Sequence, residues 1–500
     1  MGSSLAQGAP RPKRTHGSGR GIRYVSSVRY ALTAALTLAL VGTAAREARA
    51  NGRFPETNAI FFAANDPNTV LLRTTFGLII SRDRAQSWDW VCERSIGLAG
   101  VEDPMYAVTP DGTIMSSTFQ GLAASHDHAC NWKFIGGELN QLVFIDLASR
   151  PSTPGNVVAF ASSYSGQDDA GGIVFKSTLY ETKDEGKTFA ALGPSFDGTL
   201  LGETVDVTES DPDRIYVSAV RNPGTTAAAV LLTSRDHGKL FEENPIALIA
   251  PERAAFIAAV DPVNADRVYV RTANATDKPS RLLVTDDAGK TFRTIFTGTG
   301  PLAGFALSPD GKRIYVGGPV DGLHIASTAD YAFQKKSNRE VGCLKLNQDG
   351  LWMCSTERSG FVVGLSTDDG SSFQSKLHFC DIRGPLACAQ GTTTQTECSL
   401  GGTTSSASPP WPAQRAGLGC SNDAGANPDG SGPTGDASTN PGGPGMQAGG
   451  GGCSLRARPL SQAAHFGLSP RCSQGSRRRS RCCVVAVAVA AARRRTPPSP

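Results

Sequence analysis

No stretch of this 500-residue sequence is apolar for long enough to cross a bilayer, because a spanning helix takes about twenty apolar residues. The run Ala31–Ala45 has fifteen residues and Val484–Ala492 fewer still. H-E-x-x-H, G-x-S-x-G and a phosphate-loop glycine motif are all missing, so no zinc-hydrolase, serine-hydrolase or nucleotide-loop chemistry can be argued from motif. The seven histidines are scattered, and none stands at ligand spacing from a cysteine pair, which leaves zinc without a binding pattern. Basic residues are scarce where the chain folds: 31 Lys and Arg stand against 41 Asp and Glu in residues 51–420. No basic stripe remains to follow a phosphate backbone, which excludes nucleic acid as an expected partner.

The positive charge lies at the two ends. Arg11, Lys13, Arg14, Arg20, Arg23 and Arg29 form a basic leader before Ala31–Ala45, and Ala48-Arg49-Ala50 has the small-x-small form of a cleavage site. Residues 1–50 therefore read as a secretory signal, with an uncleaved anchor as the alternative. The expected destination is secreted or cell-surface, or the periplasm.

What the sequence has in abundance is one figure. Thr285–Phe292, TDDAGKTF, fits S/T-x-D-x-G-x-S/T-aromatic, as do Thr182–Phe189 and Ser366–Phe373, and Ser234–Phe241 nearly does. Ser81–Trp88 and Ser125–Trp132 keep the Asp and the aromatic but put Ala85 and Ala129 in place of glycine, and Ser327–Phe333 is a decayed copy. The Asp accepts backbone N–H groups a few residues on, and the glycine supplies φ > 0, which together close a hairpin. The aspartates Asp83, Asp127, Asp184, Asp236, Asp287 and Asp368 are accordingly structural. Around each copy runs a longer unit: a strand, an Asp/Pro/Gly turn such as Ser210–Asp213, a β-branched strand such as Arg313–Val316, a third strand, the octamer, and a fourth strand. Copies start 44, 57, 52, 51, 42 and 39 residues apart, close to the length of one propeller blade.

The octamers resemble the Asp boxes, or BNR repeats, of sialidases, sortilin-type receptor domains, two-propeller xyloglucanases and photosystem II assembly-factor propellers, over about residues 55 to 380. The resemblance implies an all-β fold, a seven-bladed β-propeller of four-stranded blades, closed blade against blade with no strand exchanged between its ends. It does not fix the activity, since Asp boxes occur in enzymes and binding modules alike. Arg53-Phe54-Pro55 is similar to the Arg-Ile-Pro motif of sialidases, but the inner strands of the later units carry no arginine, so a carboxylate clamp is not expected.

Eight cysteines precede the tail: Cys92, Cys130, Cys343, Cys354, Cys380, Cys388, Cys398 and Cys420. An even count in an exported chain permits full pairing. Cys343 and Cys354 flank CLKLNQDGLWMC and face each other if Gln348-Asp349 is a two-residue loop; Cys92–Cys130 is the next expected bridge. The domain plan is then a signal at 1–50, the propeller at 51–379, a Cys-rich appendage at 380–420, a Gly/Pro/Asn/Asp-rich linker at 421–453 and a basic tail at 454–500. The linker ends in GGGGC, and with the Arg cluster beyond it resembles a broken myxobacterial surface-sorting tail.

A second periodicity suggests a site. Glu56, Glu102, Glu138, Glu203, Glu252 and Glu340 stand just ahead of the innermost strand in six of the seven units, with Asp103 beside Glu102. On a propeller these loops share one face, so the carboxylates approach the channel mouth, where like charges need a cation among them. The expected ligand is a protein, peptide or glycan met at this mouth or on the loop face, with a basic peptide or Ca2+ favoured over an acidic sugar. No other cofactor is expected, and the protein is expected to be a monomer. The primary reading is a secreted, non-catalytic binding or scaffold propeller. The alternative is an Asp-box glycoside hydrolase, sialidase-like or xyloglucanase-like, which needs two carboxylates across a cleft.

Overall fold

The computed structural model of the protein describes residues 54–99, 101–169, 171–223, 227–274, 278–399 and 411–420. The expected signal, linker and tail, and Arg53, lie outside the described residues. Blade one is built from Thr57–Ala63, Asp66–Thr74, Gly77–Ser81 and Trp88–Val91, paired in that order. Six more four-stranded antiparallel blades begin at Tyr106, Phe144, Leu200, Glu252, Gly304 and Cys343. First strands of neighbouring blades touch one another, including those of blades one and seven, so the first strand of each blade is innermost and the ring closes.

Up-down order in every blade fixes two faces. The turns between first and second strands share one with the octamers, here the box face. The hairpins between second and third strands, and the connections from blade to blade, form the other, here the loop face.

Each octamer closes by the same hydrogen bonds. In blade five the Thr285 hydroxyl donates to Asp287 Oδ1 at 2.7 Å and accepts the Gly289 N–H at 2.8 Å, while Asp287 also accepts the Thr291 N–H at 2.9 Å and the Thr291 hydroxyl at 2.6 Å. The loop needs two successive left-handed residues, here Ala288 at φ 59° and Gly289 at φ 98°. That requirement explains the glycine, and Ala85 and Ala129 meet it at φ 62° and 71° against the side-chain crowding that disfavours it. In the decayed copy, one residue shorter, only Tyr331 is left-handed, at φ 52°.

Blades pack through apolar faces, and the closure seam is the largest of these cores. Ile60, Leu72, Ile79, Trp88 and Trp90 of blade one meet Trp352, Val363 and Leu377 of blade seven. Trp88, the aromatic of its octamer, donates its indole N–H to the Lys376 carbonyl at 2.9 Å, so a polar tip is satisfied inside an apolar joint.

Beyond blade seven the chain crosses to blade one as a strap. Ile382–Pro385 pairs parallel with Trp88–Val91 and makes blade one five-stranded, covering an otherwise open outer edge. Cys343 and Cys354 are bonded across directly paired positions, Cα atoms 4.7 Å apart. The expected Cys92–Cys130 bridge does not form: Cys92 is bonded to Cys398, Cys130 to Cys388, and Cys380 to Cys420. The strap lies along the joint between blades one and two, where Trp132 N–H donates to Thr393 Oγ1 at 3.0 Å and the Thr394 hydroxyl to the Ala129 carbonyl at 2.6 Å. It thereby offers each blade cysteine a nearer partner.

Candidate functional site

The box face is closed chemistry. Its six octamer aspartates all sit below the ordinary carboxylate range. In Asp184, Asp287 and Asp368 the Thr188, Thr291 and Ser372 hydroxyls foremost hold the value down to about 2, as donors to the charged form do. Ion pairs then stitch blade to blade: Arg84 to Asp349 at 2.5 Å, Arg214 to Asp266, and Arg313 to Asp369.

The loop face differs in both polarity and satisfaction. Phe54, Phe119, Tyr164, Ile173, Ile249 and Val320 are exposed there, whereas Leu240 and Val263 are the exposed large apolar residues on box-face turns. The blade-three hairpin, Thr153–Gln167 with Ile173–Thr182, projects as an arm beyond its blade's first strand, Phe144–Arg150.

The loop-face glutamates do not form one ring of equals. Glu102 is buried as a staple, accepting the Ala99 N–H at 3.0 Å and the Phe119 N–H at 2.8 Å. Asp103 accepts the Asn58 amide at 3.1 Å. Glu252 accepts both arms of Arg281, at 2.8 and 2.6 Å, together with the Ile249 N–H and the Thr272 hydroxyl. Burial pushes its carboxyl up, but the Arg281 contact and these donors outweigh that and leave it below the ordinary value. Glu56 and Glu138 are exposed, and Glu340 is half-buried. Among the described residues no three acidic, histidine or cysteine side chains stand close enough to hold a metal ion. The expected Ca2+ therefore has no cluster there, because Glu102 and Glu252 are spent on their own loops.

Glu203 is the exception. It lies on the innermost strand of blade four, Leu200–Val207, at a bulge between Gly202 and Thr204. The residue keeps partial exposure, yet its Oε1 is shut off from solvent with no hydrogen-bond partner among the described residues. Burial, with no neighbouring charge contributing, pushes the carboxyl up to about 8. An unpaired buried polar atom costs about 1–3 kcal/mol, and such groups concentrate at functional sites.

Sequence reading missed four other ionic groups of the innermost region, of which Asp146 and Arg73 are buried and Asp206 and Arg271 half-buried. Asp146 accepts the Leu147 and Val205 N–H groups, both at 2.9 Å, and Asp206 accepts those of Val207 at 2.8 Å and Val260 at 3.2 Å. The two are one device, clasping blade three to four and four to five. Burial pushes Asp146 up to about 7 and raises Asp206. Arg73 and Arg271 hold corresponding positions on second strands and donate to carbonyls leading into the next blade, Asp103 at 3.1 Å and Leu302 at 2.9 Å. Burial lowers Arg271 to about 10. The signal was present for the aspartates, since each stands between apolar residues inside a strand, as Ile145-Asp146-Leu147 and Val205-Asp206-Val207.

No protein-family model matches this chain, and no curated protein matches it in sequence. Among solved structures it is similar to an ancestral GH74 enzyme, at 14% identity over 65% of this chain and 47% of that one, TM-score 0.48. It is also similar to Saccharomyces cerevisiae Sqt1, at 12% identity over 65% and 85% of the two chains, TM-score 0.42, and to the Hadza microbial sialidase Hz136, at 13% over 58% and 72%, TM-score 0.36. The chain spans about half the length of the GH74 enzyme.

Proposed function

We propose that this protein is an exported Asp-box β-propeller that binds a ligand on its loop face without transforming it, the ligand being a cationic segment of a protein or peptide received at Glu203. The observation that carries this reading is the Glu203 carboxyl, held on the innermost strand with one oxygen shut off and unpartnered. An ammonium or guanidinium group supplies the donors that it lacks. The exposed apolar residues of the loop face give the rest of such a segment a surface to cover. Glu138, Glu56 and Glu340 add negative potential at the rim, which steers a cation inward. Export is supported by the basic leader with its apolar run and by four disulfides. No helix among the described residues is long and apolar enough to cross a membrane.

Calorimetry tests this with lysine- and arginine-containing peptides, their norleucine counterparts, and sialyl and xyloglucan oligosaccharides. Heat of binding confined to the cationic peptides is expected, and binding confined to the sugars would overturn the reading. One observation favours the glycoside-hydrolase alternative: Glu203 at about 8 and Asp146 at about 7 are raised as a general acid requires. Against it, Asp146 is buried and spends its oxygens on backbone N–H groups of two blades, the position of a clasp between strands and not of a group facing a substrate. Release of reducing sugar from either oligosaccharide, lost in Glu203→Gln, would establish the alternative.

A further inference from the structure

We infer that the inner edge of the blade-three arm, which begins just loop-ward of Glu203, is a docking edge to which an extended, lysine- or arginine-bearing segment of a partner protein adds as a β-strand. The inference deepens the proposed function and rests on its cationic ligand.

The first observation is an unpaired edge. In blade three the second and third strands stay paired out to Gln167 and Ile173. The first strand pairs with the second only as far as Ala161, after which the Ser162 N–H makes one more bond, 2.9 Å to the Val143 carbonyl. In an antiparallel ladder every second residue directs its N–H and C=O to the same side. The main chain of Tyr164 therefore faces the same inner side as that of Ser162, and among the described residues it meets no backbone partner there. Such an edge is a template for one more strand, and strand addition is a recurrent mode of peptide recognition.

The second observation is where the edge begins. The Gly202 N–H donates to Ser162 Oγ at 3.0 Å, and the Ser177 hydroxyl donates to the Leu200 carbonyl at 3.0 Å. The root of the arm is thus bonded to the innermost strand of blade four on the residues just before Glu203. Val205 bonds Asp146, the partner of Phe160, so Glu203 lies between the levels of Ser162 and Phe160, just box-ward of the free edge. A strand laid along the arm presents alternate side chains to one face every 6.8 Å or so, and a long basic side chain at its root end reaches back towards the unpartnered carboxyl. Charge complementarity selects the occupant: the site offers an acid, so the segment brings a base.

The third observation concerns selectivity. Tyr164 is 65% and Ile173 45% exposed, which gives the arm apolar surface to cover. A bulge between Tyr164 and Gly166, with Gly166 at φ 144°, interrupts the regular edge. Bulges twist an edge away from indiscriminate pairing, so backbone bonding at the arm is short and needs the charged anchor to hold a ligand.

The probe is an acetylated, amidated hexapeptide of alternating valine and threonine with one central lysine, titrated into the full mature chain. Two forms N-methylated at alternate backbone amides, one for each register, and one form with norleucine for lysine complete the set. The lysine peptide is expected to bind; one N-methylated register should weaken it at least tenfold while the other does not. Norleucine should weaken binding at least tenfold in the wild-type chain but not in Glu203→Gln. Equal affinity for both N-methylated forms overturns the docking edge while leaving the cationic reading intact. Sensitivity to N-methylation without preference for lysine overturns the cationic reading and keeps the edge. Tyr164→Pro, checked for an unchanged unfolding transition, should lose the N-methylation effect. A doubled mass in sedimentation that Tyr164→Pro abolishes would assign the edge to a second copy of this chain and overturn the partner claim.

Discussion

If Glu203 is kept for a ligand, it is kept at a cost in stability, and the size of that cost follows from its titration. Its carboxyl ionises at about 8 in the folded chain, against an ordinary value of 4.5. A carboxyl whose folded value is raised contributes no penalty below its unfolded value, and a growing one from there up to its folded value, because the unfolded chain ionises first. Over that window the lost stability reaches about 3 kcal/mol at pH 7. Glu203→Gln removes the titration while keeping size and shape. The variant should therefore match the wild type near pH 4 and exceed it by about 3 kcal/mol at pH 7, or about 4 °C in Tm for a ring of this size. Other raised carboxyls, Asp146 and Asp206, also weaken the fold as pH rises, but they act equally in both proteins and drop out of the difference. Urea unfolding at pH 4, 5.5, 7 and 8, followed by tryptophan fluorescence, reads it directly. A difference that stays flat across this range, or a variant less stable than the wild type at pH 7, would refute the reasoning.

Asp146→Asn sets two effects against each other. Its amide turns an N–H donor towards Leu147 or Val205, whose own N–H groups now bond the carboxylate, at a cost of about 1–3 kcal/mol, while it removes the penalty of ionising a carboxyl that burial holds at about 7. The variant should therefore gain on the wild type as pH rises from 4 to 8 in the same unfolding assay. Gly370→Ala should cost about 2–4 kcal/mol, because the new Cβ meets Leu323 Cδ2 at 2.4 Å on a backbone held at φ 79°. Ala85→Gly, at the equivalent octamer position, should be near neutral, since relief of the left-handed strain offsets a lost buried methyl and a freer unfolded chain. Replacing Cys92 and Cys398 by serine opens a closed ring of roughly fifty residues while Cys130–Cys388 remains, for a loss of about 4 kcal/mol by chain entropy; protease sensitivity at the strap preceding global unfolding would place it there.

The blades were legible because the octamer makes its structure locally. A hydroxyl, an aspartate two residues on and a glycine two further complete the loop from within eight residues, so Thr285–Phe292 and Ser366–Phe373 announce their hairpins without help from elsewhere. Cys343 and Cys354 were legible for the same reason, being opposed across one two-residue turn. The other three bridges were not, because Cys92 and Cys130 find partners that are 306 and 258 residues away in sequence. No local pattern shows that the chain returns over blade one. The glutamates fell between these cases. Their recurrence at one blade position was visible, but whether each carboxylate faces the mouth or its own loop depends on neighbours such as Arg281 and the Ala99 N–H. Of the group, Glu203 is the one that sequence spacing placed beside its fellows and the structure sets apart.

The central claim, that a cation is received at Glu203, is tested most directly by counting protons on binding. Near pH 7 the free carboxyl is mostly protonated, since burial holds it at about 8, and it must ionise to pair with an amine. Titration calorimetry of the lysine hexapeptide at pH 7, run in phosphate and in Tris, whose ionisation enthalpies differ widely, should give close to one proton released per peptide bound, falling to zero in Glu203→Gln. Binding with no proton released from the wild-type chain would contradict the account.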